Sequence, residues 1–220
     1  PGFITMYMCK ETIRRAVLQK FEEAKGWKCE NIDALYEKID DKKEANELIN
    51  SLTICDPAVG SGHFLVSALN EMIAIKSELG ILQDRDGKTL RDYEVSVVND
   101  ELVVTNDDGE PFEYHVGNAE QQRVQETLFH EKQTIIENCL FGVDINPNSV
   151  KICQLRLWIE LLKNSYYKVD NMGVSSSGSD SSGLYRGVVS SSDSPKGGLY
   201  RELETLPNID INIKCGNSLI

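Results

Sequence analysis

The stretch DPAVGSGHF, residues 56–64, decides how the rest of the chain is interpreted. It follows SLTICD, an apolar and β-branched run typical of a short buried strand, and it leads into HFLVSALNEMIAIKSELG. That second run has one apolar stripe at helical spacing and ends at Gly80. In a strand–loop–helix unit of this kind, the N-terminus of the helix follows the glycine loop. Its free backbone N–H groups and the positive end of its dipole then point toward the same ligand. The stretch therefore predicts a loop that holds a nucleotide-like molecule.

Two common nucleotide loops do not fit this stretch. A P-loop needs Gly-Lys-Ser/Thr, which is absent after the glycines. A dinucleotide fingerprint needs a third glycine three residues after Gly62, where Leu65 stands, and an acidic residue about 20 residues later. The alternative interpretation is a tight turn between strand and helix that binds no ligand. The Asp-Pro pair before the glycines argues against it, because packing gives no reason for that pair.

The remaining sequence predicts alternating helices and strands. Residues 5–24 have helical spacing and end near Gly26, and residues 32–51 continue as helix with a break near residues 40–41. Residues 92–116 hold three β-rich runs with turn residues between them, typical of a small antiparallel meander. A helix is then predicted over 119–138.

A second strand, CLFGVDI, and a second amphipathic helix, NPNSVKICQLRLWIELLKN, follow. Asn146 suits the N-cap of this helix and Pro147 its first turn. The segment INIKCGNSL supplies a third strand. This alternation predicts an α/β fold with a parallel sheet, in which the meander is an insertion in the first crossover.

Residues 173–198 differ from the rest, with ten serines and six glycines among 26 residues. Such a composition buries too little apolar surface to offset the entropy of ordering, so we expect a mobile loop. The tetrapeptide GLYR occurs at 183–186 and again at 198–201, which favours a local duplication over a functional repeat.

Composition limits the classes of partner. The 220 residues carry a net charge of −12, and nucleic-acid phosphates need Lys and Arg, so a DNA-binding face is expected outside these residues. No run of apolar residues is long enough to cross a membrane. Six scattered cysteines without a C-x-x-C pair favour buried free thiols in a reducing cytoplasm, and three dispersed histidines predict no metal site.

DPAVGSGHF resembles motif I of S-adenosylmethionine-dependent DNA methyltransferases that act on exocyclic amino groups. The family form is Asp-Pro-Ala-x-Gly-Ser-Gly-x-Phe, and every specified position matches. The resemblance implies S-adenosylmethionine as the cofactor. The cofactor-binding residues that it implies in this motif are Asp56, Pro57, Ala58, Gly60, Ser61, Gly62 and Phe64.

Three more stretches resemble family motifs in the expected order. LFGVDINPNSV is similar to motif II, which implies that Asp144 binds the ribose hydroxyls, that Ile145 packs on the adenine and that Asn146 also belongs to the cofactor site. IKCGNSL is similar to motif III, with Asn217 and Leu219 at the cofactor, and PGFITMYM is similar to motif X, with Pro1 and Ile4. A surface acid at 144 and a turn asparagine at 217 are the alternatives.

The family's Asn/Asp-Pro-Pro-Tyr/Phe motif, which holds the target amine, does not occur in these residues. We therefore expect a fragment or one piece of a split protein, with no catalytic residue of its own. In the family fold the strand SLTICD lies centrally, so a fragment would leave one of its edges bare.

The resemblance thus implies an incomplete, Rossmann-like class I methyltransferase fold. The expected organisation is a helical region over 1–51 and a cofactor-binding half-domain over 52–220, with an insert at 84–118 and a loop at 173–198. The implied protein is a DNA adenine-N6 methyltransferase of the large bacterial type II (IIG-like) restriction–modification kind. Expected partners are DNA and the remainder of the polypeptide or a partner subunit, and no membrane. Cytosine-N4 or protein-glutamine methylation, and a non-catalytic subunit of a DNA-defence complex, are the alternatives.

Overall fold

Helices and strands alternate along the computed structural model, which describes residues 2–170, 199–204 and 211–218. Within these ranges the elements are α1 (Gly2–Lys25), α2 (Ile32–Tyr36), α3 (Lys42–Asn50), β1 (Ile54–Asp56), α4 (His63–Glu78), β2 (Tyr93–Val98), β3 (Glu101–Asn106), α5 (Ala119–Asn138), β4 (Leu140–Asp144), α6 (Pro147–Leu162), β5 (Tyr167–Asp170), β6 (Leu199–Leu203) and β7 (Ile213–Cys215). The predicted mixed α/β architecture is confirmed.

A parallel sheet in the order β1-β4-β7 carries the strand ends of interest. Asp56 pairs with Gly142 in one ladder, and Asp144 pairs with Cys215 in the other, so all three carboxyl ends lie at the same edge. Among the described strands β1 has one neighbour, β4, and its other edge is bare. The prediction of a buried strand here is wrong in that respect, because Cys55 is exposed and its neighbours are half-buried.

Helix α4 lies at the centre of the core and is buried on all sides, whereas the sequence predicted burial of one apolar stripe. Every residue from 65 to 76 is buried, because α1, α2, α5, α6 and the β2–β3 hairpin surround the helix. Its polar side chains have specific partners. Glu71 accepts from Arg14 at 2.6 Å, and Lys76 Nζ donates to Asn50 Oδ1 at 2.6 Å and Glu131 Oε2 at 2.5 Å.

Helix α1 packs along α4 through residues spaced four apart. Cys9, Ile13, Val17 and Phe21 are buried on one face, which follows from the helical repeat. Burial of each large apolar side chain contributes roughly 1.5–3 kcal/mol. The predicted helix over 5–24 is confirmed and begins earlier, at Gly2, while Gly26 with φ +71° follows its end.

The predicted break in the next helical region is also confirmed. It separates α2 from α3, and Asp41 caps α3 because its Oδ1 accepts from the Glu44 amide at 3.0 Å.

The insert in the first crossover is a hairpin, not a three-stranded meander. Strands β2 and β3 pair in antiparallel register, and Asn99 and Asp100 both have positive φ (54° and 68°), as a tight hairpin turn requires. The third β-rich run makes only an isolated bridge between Thr105 and Pro111. The Phe112 amide donates to the carbonyl oxygen of Val104 at 2.8 Å beyond this bridge, but the pairing does not extend into a third strand.

A second antiparallel pair, β5 with β6, was not predicted from the sequence. Residues 199–201 of the second GLYR copy belong to β6, whereas the predicted loop over 173–198 lies outside the described residues. The helix after β4 begins as predicted, because Asn146 Oδ1 accepts from the Asn148 amide at 3.0 Å and Pro147 is the first residue of α6.

All six cysteines are free. Cys9, Cys139 and Cys153 are buried, whereas Cys55 and Cys215 are exposed, so the expectation of buried thiols holds for only part of the set. Within the described ranges, no three His, Cys, Asp or Glu side chains are placed to hold a metal ion. No described helix is long and apolar enough to span a membrane.

Candidate functional site

The carboxyl ends of the three parallel strands bring the predicted motifs to one place. The Val59 amide donates to the carbonyl oxygen of Val143 at 2.9 Å, which ties the glycine loop to β4. The Gly216 amide donates to the carbonyl oxygen of Asp144 at 3.0 Å, which ties the end of β7 to the same strand. The site is thus built from segments far apart in sequence.

The glycine loop, residues 56–62, turns sharply between β1 and α4. Asp56 Oδ1 accepts from the Ala58 amide at 3.0 Å, and the Gly62 amide donates to the Val59 carbonyl oxygen at 2.9 Å. Gly60 and Gly62 have φ values of +52° and +82°, in the left-handed region that glycine adopts without strain. Gly62 precedes α4 without any side-chain cap, so the first N–H groups of the helix start directly after the loop.

Two glycines allow close packing that a side chain would prevent. A Cβ on Gly62 would lie 2.6 Å from Cys153 Sγ on α6. A Cβ on Gly142 in β4 would lie 2.9 Å from Val59 Cγ2 and 3.0 Å from Ile213 Cδ1. Sequence analysis did not identify Gly142 or Cys153 as important, because the motif describes the loop and not what the loop packs against.

The carboxylate of Asp144 links β4 to the glycine loop. Its Oδ2 accepts from the Gly60 amide at 2.9 Å, and its Oδ1 accepts from the Asn146 amide at 2.7 Å. Each carboxylate oxygen has a second lone pair, so the group is oriented and can still accept hydroxyl donors from a ligand. The side chain is only partly exposed, which strengthens such a bond relative to open water.

An exposed apolar residue follows this carboxylate. Ile145 is 76% exposed at the end of β4, beside the Asn146 cap of α6. An apolar surface next to an oriented carboxylate suits a ligand with a flat ring attached to a sugar, since the ring covers the isoleucine while the hydroxyls reach the acid.

The first turns of α1 present four exposed apolar side chains close to the start of α4. This N-terminal apolar cluster consists of Phe3, Ile4, Tyr7 and Met8. The same helix is joined to α4, because Cys9 Sγ donates to the Phe64 carbonyl oxygen at 3.6 Å and Ser67 Oγ donates to Thr5 Oγ1 at 3.3 Å.

The other predicted site residues are placed as follows. Pro57 and Ala58 are exposed, Ser61 and Phe64 are half-buried, and Asn217 is exposed just after β7. Pro1 and Leu219 lie outside the described residues. The structure therefore gathers the loop, Asp144, Ile145, Asn146 and Asn217 at the strand ends, and the cofactor roles of all these residues stay predictions.

A contact between α4 and α6 was also missed by sequence analysis. Arg156 Nη1 lies 2.7 Å from Nδ1 of His63, the first residue of α4. The bond requires an unprotonated Nδ1 that accepts from the guanidinium. The bond fixes the beginning of α4 to the second half of α6. It is made by His63, which occupies the second of the two unspecified positions of the glycine motif.

A separate polar cavity of about 390 Å³ lies between residues 83–86 and helix α5, away from the strand ends. Arg85 Nη2 lies 2.7 Å from His130 Nε2 and donates to the Tyr166 hydroxyl at 3.1 Å. Burial, assisted by the positive charge of Arg85, lowers the pKa of His130. We refer to these three residues as the His130 cluster.

Comparison with known proteins gives two matches. Residues 32–175 match the family described as MmeI, DNA-methyltransferase domain, a range that includes the glycine loop and Asp144. Over its whole length the chain is 30% identical to a Methanocaldococcus jannaschii protein named "Putative type II restriction enzyme and methyltransferase". The chain spans 14% of the length of that relative. No solved structure matches the chain.

Proposed function

Since this chain belongs to the family of MmeI DNA-methyltransferase domains, we propose that it binds S-adenosylmethionine for a DNA adenine-N6 methyltransferase of a restriction–modification system. The observation that carries the proposal is the hydrogen bond from the Gly60 amide to Asp144 Oδ2 at 2.9 Å. This bond joins the two most specific motifs of the sequence into one site, although 84 positions separate them.

The proposed fold is the Rossmann-like class I methyltransferase fold, of which β1, β4 and β7 would be the first three strands in order. The parallel pairing and the loop at the carboxyl ends of the strands support this assignment, because α/β proteins bind ligands at that edge. The proposed division is a helical region over 1–51 and a cofactor-binding part over 52–220.

The donor set fits S-adenosylmethionine. Asp144 would accept the ribose hydroxyls, Ile145 would cover one face of the adenine, and Asn217 would lie at its edge. The backbone of the glycine loop would lie against the amino-acid portion. Because Gly60 carries no Cβ and no other atom lies within 4.0 Å of where one would be, a ligand can approach the backbone there closely.

When bound, S-adenosylmethionine supplies an electrophilic methyl group. The residues of this chain bind and orient that group, so their contribution to the rate is positioning rather than proton transfer or covalent chemistry. We propose no residue among these 220 that binds the target amine, since the sequence contains no Asn-Pro-Pro-Tyr/Phe segment.

Substitution of Asp144 tests the proposal. We expect Asp144→Ala to weaken S-adenosylmethionine binding at least about tenfold, because charge-assisted hydrogen bonds to the ribose and to the Gly60 amide are lost together. Isothermal titration calorimetry on the chain measures the affinity, and Asp108→Ala, an exposed acid in the turn after β3, is the matched control. Absence of binding by the native chain, or equal affinity of the native and Asp144→Ala chains, would contradict the proposal.

The acceptor is tested on the longest natural polypeptide that contains this chain. Mass spectrometry of nucleosides from methylated DNA separates N6-methyladenine from N4-methylcytosine, and we expect the former. N4-methylcytosine, or methyl transfer to a protein glutamine, would keep the cofactor assignment and replace the acceptor. Cofactor binding without transfer to either class would favour a non-catalytic subunit.

A further inference from the structure

Helix α6 contacts the end of the glycine loop at two points. A Cβ on Gly62 would lie 2.6 Å from Cys153 Sγ, so the thiol packs directly against the loop. Arg156 follows Cys153 by three residues, which places both side chains on the same side of the helix. The guanidinium Nη1 lies 2.7 Å from Nδ1 of His63, the residue after Gly62. Two successive residues at the end of the loop are therefore held by α6.

The N-terminus of the same helix is joined to the other half of the site. The amide of Asn146, the N-cap of α6, donates to Asp144 Oδ1 at 2.7 Å, and Asp144 Oδ2 accepts from the Gly60 amide at 2.9 Å. The contacts thus form a closed ring, which runs from Asp144 along the loop to His63 and returns through Arg156 and α6. Asp144 holds the middle of the loop, and Arg156 holds its end.

Arg156 lies among the charged groups of the site and outside the core. Burial raises the pKa of the Cys153 thiol to about 11, the charge of Asp56 adds to the shift and the charge of Arg156 opposes it. The guanidinium and the first carboxylate of the loop therefore act on the same sulfur atom. Arg156 is half-buried and His63 is exposed, so a substitution of either removes this bond and leaves the buried core in place.

We propose that Arg156 is a positioning residue for the amino-acid portion of the cofactor and acts through His63. The proposal rests on the proposed function, in which the glycine loop lies against that portion and Asp144 binds the ribose. A loop that is already held in place loses less conformational entropy when a ligand binds. Loss of the Arg156 bond would loosen the end of the loop, whereas the bond from Gly60 to Asp144 would keep the ribose side intact. The affinity for the amino-acid portion therefore depends on Arg156, and the affinity for the adenosine portion does not.

Two ligands separate these portions in the test. S-adenosylhomocysteine and 5′-methylthioadenosine are both thioethers of adenosine, and only the first carries the amino-acid portion. Isothermal titration calorimetry should show that Arg156→Ala weakens binding of S-adenosylhomocysteine about three- to tenfold, as expected for one lost hydrogen bond, and leaves binding of 5′-methylthioadenosine unchanged. Arg91→Ala, which removes an exposed arginine between α4 and β2, is the matched control and should change neither affinity.

Substitutions of His63 distinguish positioning from a general effect on folding. His63→Asn keeps an acceptor close to the position of Nδ1 and should retain the native affinity for S-adenosylhomocysteine. His63→Leu removes the acceptor and should weaken binding as much as Arg156→Ala does. In the His63→Leu chain, Arg156→Ala should have no further effect, because the contact between the two residues is already lost.

Equal weakening of both ligands by Arg156→Ala would overturn the proposal, because it would indicate a general loss of the site. Unchanged binding of S-adenosylhomocysteine, or additive effects of Arg156→Ala and His63→Leu, would overturn it too. The proposed function fails separately. If the native chain binds neither ligand, both proposals are wrong, whereas if Asp144→Ala weakens both ligands and Arg156→Ala weakens neither, only the role of Arg156 is wrong.

Discussion

Gly60 and Gly62 occupy the same short loop and the same left-handed region, yet their surroundings differ. A Cβ on Gly60 would have its nearest atom 4.0 Å away, whereas a Cβ on Gly62 would contact Cys153 Sγ at 2.6 Å. Backbone strain alone therefore acts at position 60, while position 62 adds a steric clash inside the core. The two positions form a matched pair for substitution.

We expect Gly60→Ala to lower the free energy of unfolding by about 1–2 kcal/mol, from the left-handed backbone alone. Gly62→Ala should cost about 2–5 kcal/mol, because overpacking against α6 is added. Urea denaturation followed by circular dichroism measures both values.

The double variant Gly62→Ala/Cys153→Ala separates the two contributions, since it removes the sulfur from the clash. Its cost should be smaller than the sum of the two single substitutions. Equal costs for Gly60→Ala and Gly62→Ala would show that contact with α6 does not limit the loop.

At the residue scale, the sequence predicted which residues lie together in the site. It did not predict the packing contacts that hold those residues in place. The resemblance to motif I specified Asp56, Gly60 and Gly62, and the resemblance to motif II added Asp144. Gly142 and Arg156 escaped prediction because their roles depend on packing between distant segments, which no local pattern encodes.

The His130 cluster joins three elements: the loop after α4, helix α5 and the segment after α6. Tyr166 is buried, and its hydroxyl lies 2.9 Å from His130 Nε2. The bond from Arg85 needs an unprotonated nitrogen, and acids that favour protonation, Glu126 and Glu131, lie nearby. Protonation of His130 would set two positive charges side by side and loosen this junction.

The lowered pKa of His130 predicts acid sensitivity. Below its ordinary value of 6.5, the unfolded chain binds a proton that the folded chain does not, so the free energy of unfolding falls as pH decreases toward the lowered folded pKa. Urea denaturation between about pH 7 and about pH 5 should show a smaller fall for His130→Gln than for the native chain.

Arg85→Gln is the companion variant for this measurement. It removes the charge that assists burial in lowering the pKa, so its fall with pH should be intermediate between the other two. Identical falls in the native chain and His130→Gln would exclude a contribution from this histidine.

Elements with local signals were predicted well. The helix break near residues 40–41, the cap at Asn146 and the turn at residues 99–100 are set by nearby side chains and backbone preferences, which a sequence displays. The burial of α4 on all sides was not predicted, because it depends on how five other elements assemble around the helix. Strands β5 and β6 were missed because the serine-rich composition between them masked a pairing that depends on distant partners.

The net negative charge of the whole chain disfavours partners that carry phosphate groups. With 35 acidic and 23 basic residues, the chain repels phosphates at long range. We expect no measurable binding of the isolated chain to double-stranded DNA at about 0.15 M salt, by fluorescence anisotropy with a labelled duplex.

The control for this measurement is S-adenosylmethionine binding by the same preparation, which shows that the chain is folded. Tight DNA binding that weakens steeply with added salt would contradict the expectation, because it would require a basic face among these 220 residues.

For the molecule as a whole, the sequence predicted the parallel sheet and the insertion in the first crossover, which follow from the order of elements and from rules of connection. The edge of β1 that is bare among the described strands was expected from the family resemblance, because the family fold places this strand centrally. The predicted buried environment of β1 was wrong, since Cys55 is exposed to solvent.

The contact between Gly142 and Val59 limits how this protein can change over evolutionary time. The side chain at 59 occupies the space that a side chain at 142 would need, and β4 and the loop share a backbone hydrogen bond there. A side chain at 142 would also lie 3.0 Å from Ile213 Cδ1, so it would need room at both 59 and 213. We therefore expect the choice of residue at the variable position 59 of the loop motif to depend on a glycine in a strand that lies far away in the gene.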